Sequence, residues 1–298
     1  MYRTSVILRH TFIEAIVQPI YPLLLGLGAA VLVIFGMLPF FTLGEDTVMY
    51  KSVTLDVVLL LVLIITLFAT SKSIFDEIED RTMLTLMSKP VRRWEVLVGK
   101  YLGIVLAAGL AVAVLGGLIL ICTWQRIPAD YQLRTWTLDD RELQHIHDLR
   151  LMHLAGLVPS LVLVWLQVSV LAAISVALST RFSLVVNLPT VILLYIAGNL
   201  TRFLFPLADD ASALHRAFAH TASLLIPYLE VFDMRHLTIY RDIAMGGSKV
   251  AASDNPVTLG AIWIYIVVAT GYCIAYAAFA LSAGMWLFQT RELGGNEG

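Results

Sequence analysis

"SKSIFDEIEDRTMLTLMSKPVRRWEVLVGK" occupies residues 71–100 and holds five acids and six basic residues, in a chain of 298 residues that is 59% apolar and only 14% charged. The sequence on either side carries no charge, from Val57 to Ser71 and again from Tyr101 to Gln125. A charged island between two such runs reads as a water-facing loop joining two membrane-spanning helices.

A mean hydropathy of +0.82 belongs to polytopic membrane proteins, not to a soluble globular domain. A span needs about 20 residues, because the hydrocarbon core is about 30 Å thick and a helix rises about 1.5 Å per residue. Charge-free windows run from Ile20 to Phe41, Tyr101 to Gln125, Phe182 to Thr201 and Asn255 to Thr290, and Leu151 to Thr180 carries only His153. The remaining window is short: 15 uncharged residues separate Asp56 from Lys72. That helix is expected to begin near Val53, with Asp56 in its outer turn. The expected fold is all-α, a single membrane domain over residues 1–298 with six transmembrane helices and both termini on one side.

Orientation follows Lys and Arg. With the termini inside, the inner segments hold Arg3, Arg9, Lys72, Arg81, Lys89, Arg92, Arg93, Lys100, Arg181 and Arg291, ten of the chain's 20 basic residues. The outer segments are longer, and long loops cross with little regard to charge, so density favours cytoplasmic termini. No cleavable leader is expected, since the first apolar run is long enough to span and no small-x-small cleavage pattern follows it. Cys122 and Cys273 fall in or at spans and suggest neither a disulfide nor a zinc site.

Before the first span, residues 1–19 place Ile7, Phe12, Ile13, Ile16 and Val17 among Arg3, Arg9, His10 and Glu14. This reads as an interfacial helix on the inner leaflet, in contact with membrane lipid and broken from span one by Pro19 and Pro22. Two extracytoplasmic segments are expected at 125–152 and 202–256, the second carrying a helix around Ala213, Leu214, Ala217, Phe218, Leu224 and Leu225. Small residues in the third span (Gly99, Gly103, Gly109, Gly116, Gly117) and the sixth (Gly271, Ala275, Ala280, Gly284) permit close helix approach. Gln167, Asn187 and Asn199 are amides inside spans, candidates for a substrate path or for bonds between helices.

The loop from Lys72 to Val98 has an order that topology alone does not require. At about 100° per residue, Ile74, Phe75, Ile78 and Thr82 share one arc, opposite Asp76, Glu77, Glu79 and Asp80. Acids contribute little to orientation, so an acidic helical face directly after a span reads as a docking surface for a soluble protein. A bend is expected near Thr82. Pro90 stops any helix, and a new one restarts through Arg93, Trp94 and Glu95 into span three.

The residues Glu77-x-Glu79-x-Arg81-Thr82, then Leu86, Pro90-Val91-x-Arg93-x-Glu95 and Gly99-Lys100-x-x-Gly103, together with the six-span plan, resemble the ABC-2 type transporter permeases. Departures are Lys89 before Pro90 and the long outer segments. The resemblance implies a permease subunit, an exporter of the bacterial inner membrane, whose coupling helix between spans two and three rests on a separate ATP-binding cassette subunit. It further implies a second permease chain, and ATP with Mg held by the partner and no cofactor held by this chain. The coupling residues are then Ile74, Phe75, Asp76, Glu77, Ile78, Glu79, Asp80, Arg81, Thr82, Pro90, Arg93 and Glu95.

The chain is not expected to hydrolyse ATP or to bind nucleic acid. "WEVLVGKY" has Gly99-Lys100 but lacks the Gly-x4-Gly-Lys-Ser/Thr pattern that cradles phosphates. A membrane-embedded enzyme would need paired catalytic groups, and neither His-Glu-x-x-His nor Gly-x-Ser-x-Gly occurs. "HIHDLRLMH", with His145, His147, Asp148 and His153, could gather a metal only on non-helical backbone, and incidental polar surface is the expected reading. A further alternative is a subunit that passes mechanical work to an outer-face protein without translocating anything.

Overall fold

The computed structural model describes residues 2–38, 46–79, 92–130, 140–200, 226–239, 243–244 and 257–289. The chain is built from α1 (Tyr2–Val17), α2 (Ile20–Met37), α3 (Asp46–Thr70), α4 (Arg93–Asp130), α5 (Asp140–Ser179), α6 (Leu184–Asn199) and α7 (Leu259–Gln289). A π-turn, Ser71–Asp76, and a three-residue helical turn, Glu77–Glu79, prolong α3. The described strand structure is a two-residue parallel pair, Ile243–Ala244 with Val257–Thr258. The expected helix around Ala213 to Leu225 lies outside the described residues.

Helix α5 is the axis, with 78% of its apolar window buried against 17% for α2. Helices α3 and α4 pack on it and on each other, α7 lies along it, and α6 returns antiparallel beside it. Small residues set these approaches. A Cβ on Gly109 would lie 3.0 Å from the Trp165 ring, and one on Gly116 2.7 Å from Leu161, so α4 sits close to α5. Gly284 does the same between α7 and Ala177 of α5. The small residues of span three therefore serve packing within this chain, while Gly117 and Gly271 meet open space.

Among the described residues, five helices are long and apolar enough to cross a membrane. The sixth window gives α6, a shorter helix of 16 residues, about 24 Å at 1.5 Å per residue. Beyond its end the segment 226–239, with a 3-10 turn at Leu229–Phe232 and one α-helical turn at Arg235–Thr238, packs against α5, α6 and α7. Leu229 lies on Gly198, the Tyr228 amide donates to the Tyr272 hydroxyl, and the Tyr265 hydroxyl donates to the Val231 carbonyl. Irregular backbone at the depth of a span is tolerated where protein surrounds it, and here Leu229, Phe232 and Met234 are buried.

Two expectations are corrected, one at each end of α3. Helix α3 begins at Asp46, not near Val53, so Asp56 stands ten residues inside the helix and not in its outer turn. Charge did not end the helix because its charged groups find partners inside the bundle: Lys51 at His153 and Asp56 at Arg235. The expected outer segment 125–152 carries helix at both ends, since α4 runs on to Asp130 and α5 starts at Asp140. Edge contact of Trp124 with His147, and Arg150 at 4.7 Å over the Trp124 ring, pair the two extensions. At the other end of α3, six residues of π-turn replace the regular wheel.

As expected from the prolines, α1 and α2 are separate helices, divided at Gln18 and Pro19. Helix α1 lies against the start of α4, where Cβ atoms on Gly99 and Gly103 would collide with Ile7 and with the Leu8 carbonyl.

Candidate coupling site

The residues that follow α3 separate into two sets. Ser71, Ser73, Ile74 and Ile78 are buried, whereas Lys72, Asp76 and Glu79 are exposed and Phe75 is half-buried. Ile74 and Ile78 join the main apolar core. The apolar arc thus packs on this chain's own helices, and two of the acids face outward. Asp80, Arg81, Thr82 and Pro90 lie outside the described residues.

Glu77 behaves differently from its neighbours. Its Oε1 pairs at 2.8 Å with Nζ of Lys100, which is only 2% exposed. Lys100 also donates to the backbone carbonyl and, at 3.0 Å, to the hydroxyl of Ser73. The three ammonium protons therefore have three acceptors, as a buried Lys requires. Sequence reading treated Lys100 as a topology-setting charge. The signal available was its position about two turns inside an apolar helix, where a charge needs a named partner.

Glu14 of α1 borders this group. Burial pushes its carboxyl above the usual value, and the neighbouring Lys100 offsets only part of that effect. At the start of α4, Glu95 accepts from the Arg92 amide at 3.0 Å, a side chain folding back onto the first turn. Arg93 donates to the Phe288 carbonyl and stands 5.4 Å over the Phe288 ring, joining α4 to the end of α7. Arg93 thus bridges α4 and α7 and Glu95 caps the first turn of α4, while Trp94 is exposed.

The three amides separate as well. Gln167 donates to Asn199 at 3.4 Å, beside Ser160, Tyr195 and Arg235, around a polar cavity of about 30 Å³. Asn187 lies at the opposite end of α6. It is fully buried and donates to the hydroxyls of Ser175 and Ser179 at 2.8 Å, with Ser175 bonded in turn to Thr70. This polar knot joins α3, α5 and α6.

A lateral groove of about 840 Å³ runs between α4, α5 and α7, lined by Tyr101, Trp165, Cys273 and Met285 and flanked by Trp94 and Trp286. Both cysteines are free thiols. "HIHDLRLMH" is helical, which points His147 and His153 apart, and among the described residues no three His, Cys, Asp or Glu gather for a metal ion.

Long apolar helices packed as a bundle, with a charged segment prolonging one of them, are the architecture of a multi-pass membrane protein. The chain belongs to the ABC-2 family transporter proteins, which match residues 37–293. Membership makes it a membrane permease subunit of an ABC transporter. Comparison with curated proteins finds no match.

Proposed function

We propose that this chain is the permease of a bacterial inner-membrane exporter, driven by a separate ATPase that docks on the segment Lys72 to Val98. Six spans with cytoplasmic termini, and pairing with a second permease chain, complete the reading. The observation that carries it is the exposure of Asp76 and Glu79 on a helical extension whose other face, Ile74 and Ile78, is buried. Acids held out on a rigid stem suit charge-assisted contacts to a soluble partner.

The test is Asp76→Lys with Glu79→Lys, both at exposed positions, so that the bundle stays folded. Loss of the co-purifying ATPase is expected, with unchanged yield in mild detergent. Glu142→Lys at the far end of the bundle is the control and should keep the partner. Retained association in the double variant removes this segment as the docking surface.

A second reading rests on length. Helices α4 and α5 have 38 and 40 residues, about 57 and 60 Å, well beyond a bilayer core of about 30 Å. Continuous helices of that length could carry motion to an outer-face protein without a translocated cargo.

A further inference from the structure

We propose that Lys100 is the positioning residue of the coupling segment: its contacts with Ser73 and Glu77 hold the π-turn Ser71–Asp76, and the π-turn sets the direction in which Asp76 and Glu79 project. This rests on the reading that the segment after α3 receives the ATPase, and it adds the device that aims it.

The π-turn is a single widened turn between two α-helical stretches, Asp46–Thr70 and Glu77–Glu79. Such turns are rare, cluster at functional sites and need a reason to persist. Passing from α to π and back takes up about one residue relative to a continuous α-helix. Reversion would therefore rotate everything from Glu77 onward by about 100° and lengthen the stem by about 1.5 Å. At a side-chain radius of about 5 Å, Glu79 would move on the order of 5 Å or more.

Lys100 touches this turn at two points. It binds the Ser73 carbonyl and hydroxyl inside the π-turn, and Glu77 one residue past it. A rotation of the stem would withdraw Glu77 from a buried ammonium and leave that charge short of an acceptor. The present register keeps all three acceptors in place and buries Ile74 and Ile78 while Asp76 and Glu79 stay exposed. Because Lys100 belongs to α4 and Ser73 prolongs α3, the aim of the segment is tied to how these two helices pack. A displacement of one against the other acts first on the Lys100 contacts.

The test uses the full chain in lipid nanodiscs, with Cys122→Ala and Cys273→Ala as background and spin labels at Glu79→Cys and Val185→Cys, the latter 82% exposed on α6. Pulsed electron resonance reads the distance between them. Lys100→Met is expected to shift or broaden the distribution on the order of 5 Å, and Lys100→Arg, which keeps charge and donors, to restore most of the original. A second label pair on Val114 and Val267 reports that the bundle is intact. Should Lys100→Met not fold, Glu77→Leu at a partly exposed position removes one acceptor and should broaden the same distribution. An unchanged distribution in a folded variant of either kind overturns the proposal. Co-purification of the ATPase is scored separately: lost binding in Asp76→Lys/Glu79→Lys with an unmoved label in Lys100→Met would keep the docking reading and reject the positioning role.

Discussion

Arg235 reaches Asp56 across 179 positions of sequence, Nη2 to Oδ1 at 2.5 Å, and so ties the irregular segment 226–239 to the interior of α3. Asp56 is half-exposed and Arg235 is one-fifth exposed, which places the pair at the margin of the bundle. A coupling energy of about 1 kcal/mol is expected from a double-mutant cycle of Asp56→Asn and Arg235→Gln, read as thermal stability in detergent. A coupling near zero would show that the segment is held by its buried apolar side chains and its other hydrogen bonds, without help from this pair.

The contact of α1 with α4 should be intolerant of a single methyl group. A Cβ on Gly103 would lie 2.7 Å from the Leu8 carbonyl and 3.1 Å from the Phe12 amide, both backbone atoms that cannot turn aside. Gly103→Ala is expected to cost about 1 to 3 kcal/mol and to open α1 to protease. Gly117→Ala, which meets nothing within 4 Å, should be neutral or stabilising by up to about 1 kcal/mol through helix propensity.

These two contacts mark where sequence reading reached and where it stopped. The apolar runs located the spanning helices, and Pro19 divided α1 from α2, because hydrocarbon and proline act locally. Small residues were legible as close approach, but not the identity of the neighbour: Gly103 meets α1, Gly116 meets α5, and Gly117 meets neither. Charges misled. Asp56 argued for a later start of α3, yet its partner lies 179 residues away, and only the packed bundle brings the two near. At the candidate coupling segment the exposed acids Asp76 and Glu79 were legible, whereas the π-turn was not, since the contacts made within and beside it come from Lys100 on another helix.

Lys51 is 1% exposed, and its Nζ lies 2.9 Å from Nδ1 of His153, which accepts the bond. His153→Leu takes that acceptor from a buried ammonium and is expected to cost about 2 kcal/mol. The double variant Lys51→Met/His153→Leu should recover much of the loss, because an apolar pair of similar volume replaces both polar groups. Thermal unfolding of the three variants in one detergent checks the order. A double variant no better than the single would show that Lys51 depends on other contacts.

The last expectation concerns pH and Glu14. Its Oε2 is buried without a hydrogen-bond partner, and His10 Nδ1 stands 3.9 Å away. Burial raises the carboxyl above its usual 4.5, and the opposing pull of Lys100 is the smaller effect. A raised carboxyl binds its proton more readily in the folded state than in the unfolded one. Its contribution to stability is therefore complete below about pH 4.5 and is lost as pH rises through the folded value. Glu14→Gln should accordingly melt higher than the parent at pH 7.5, and the difference should shrink as pH falls toward 4.5. The comparison belongs in a His10→Gln background, so that imidazole titration does not enter. If instead Glu14→Gln melts lower at pH 7.5, the charged carboxylate is a net partner of Lys100, and the attraction across α1 and α4 exceeds the cost of burial.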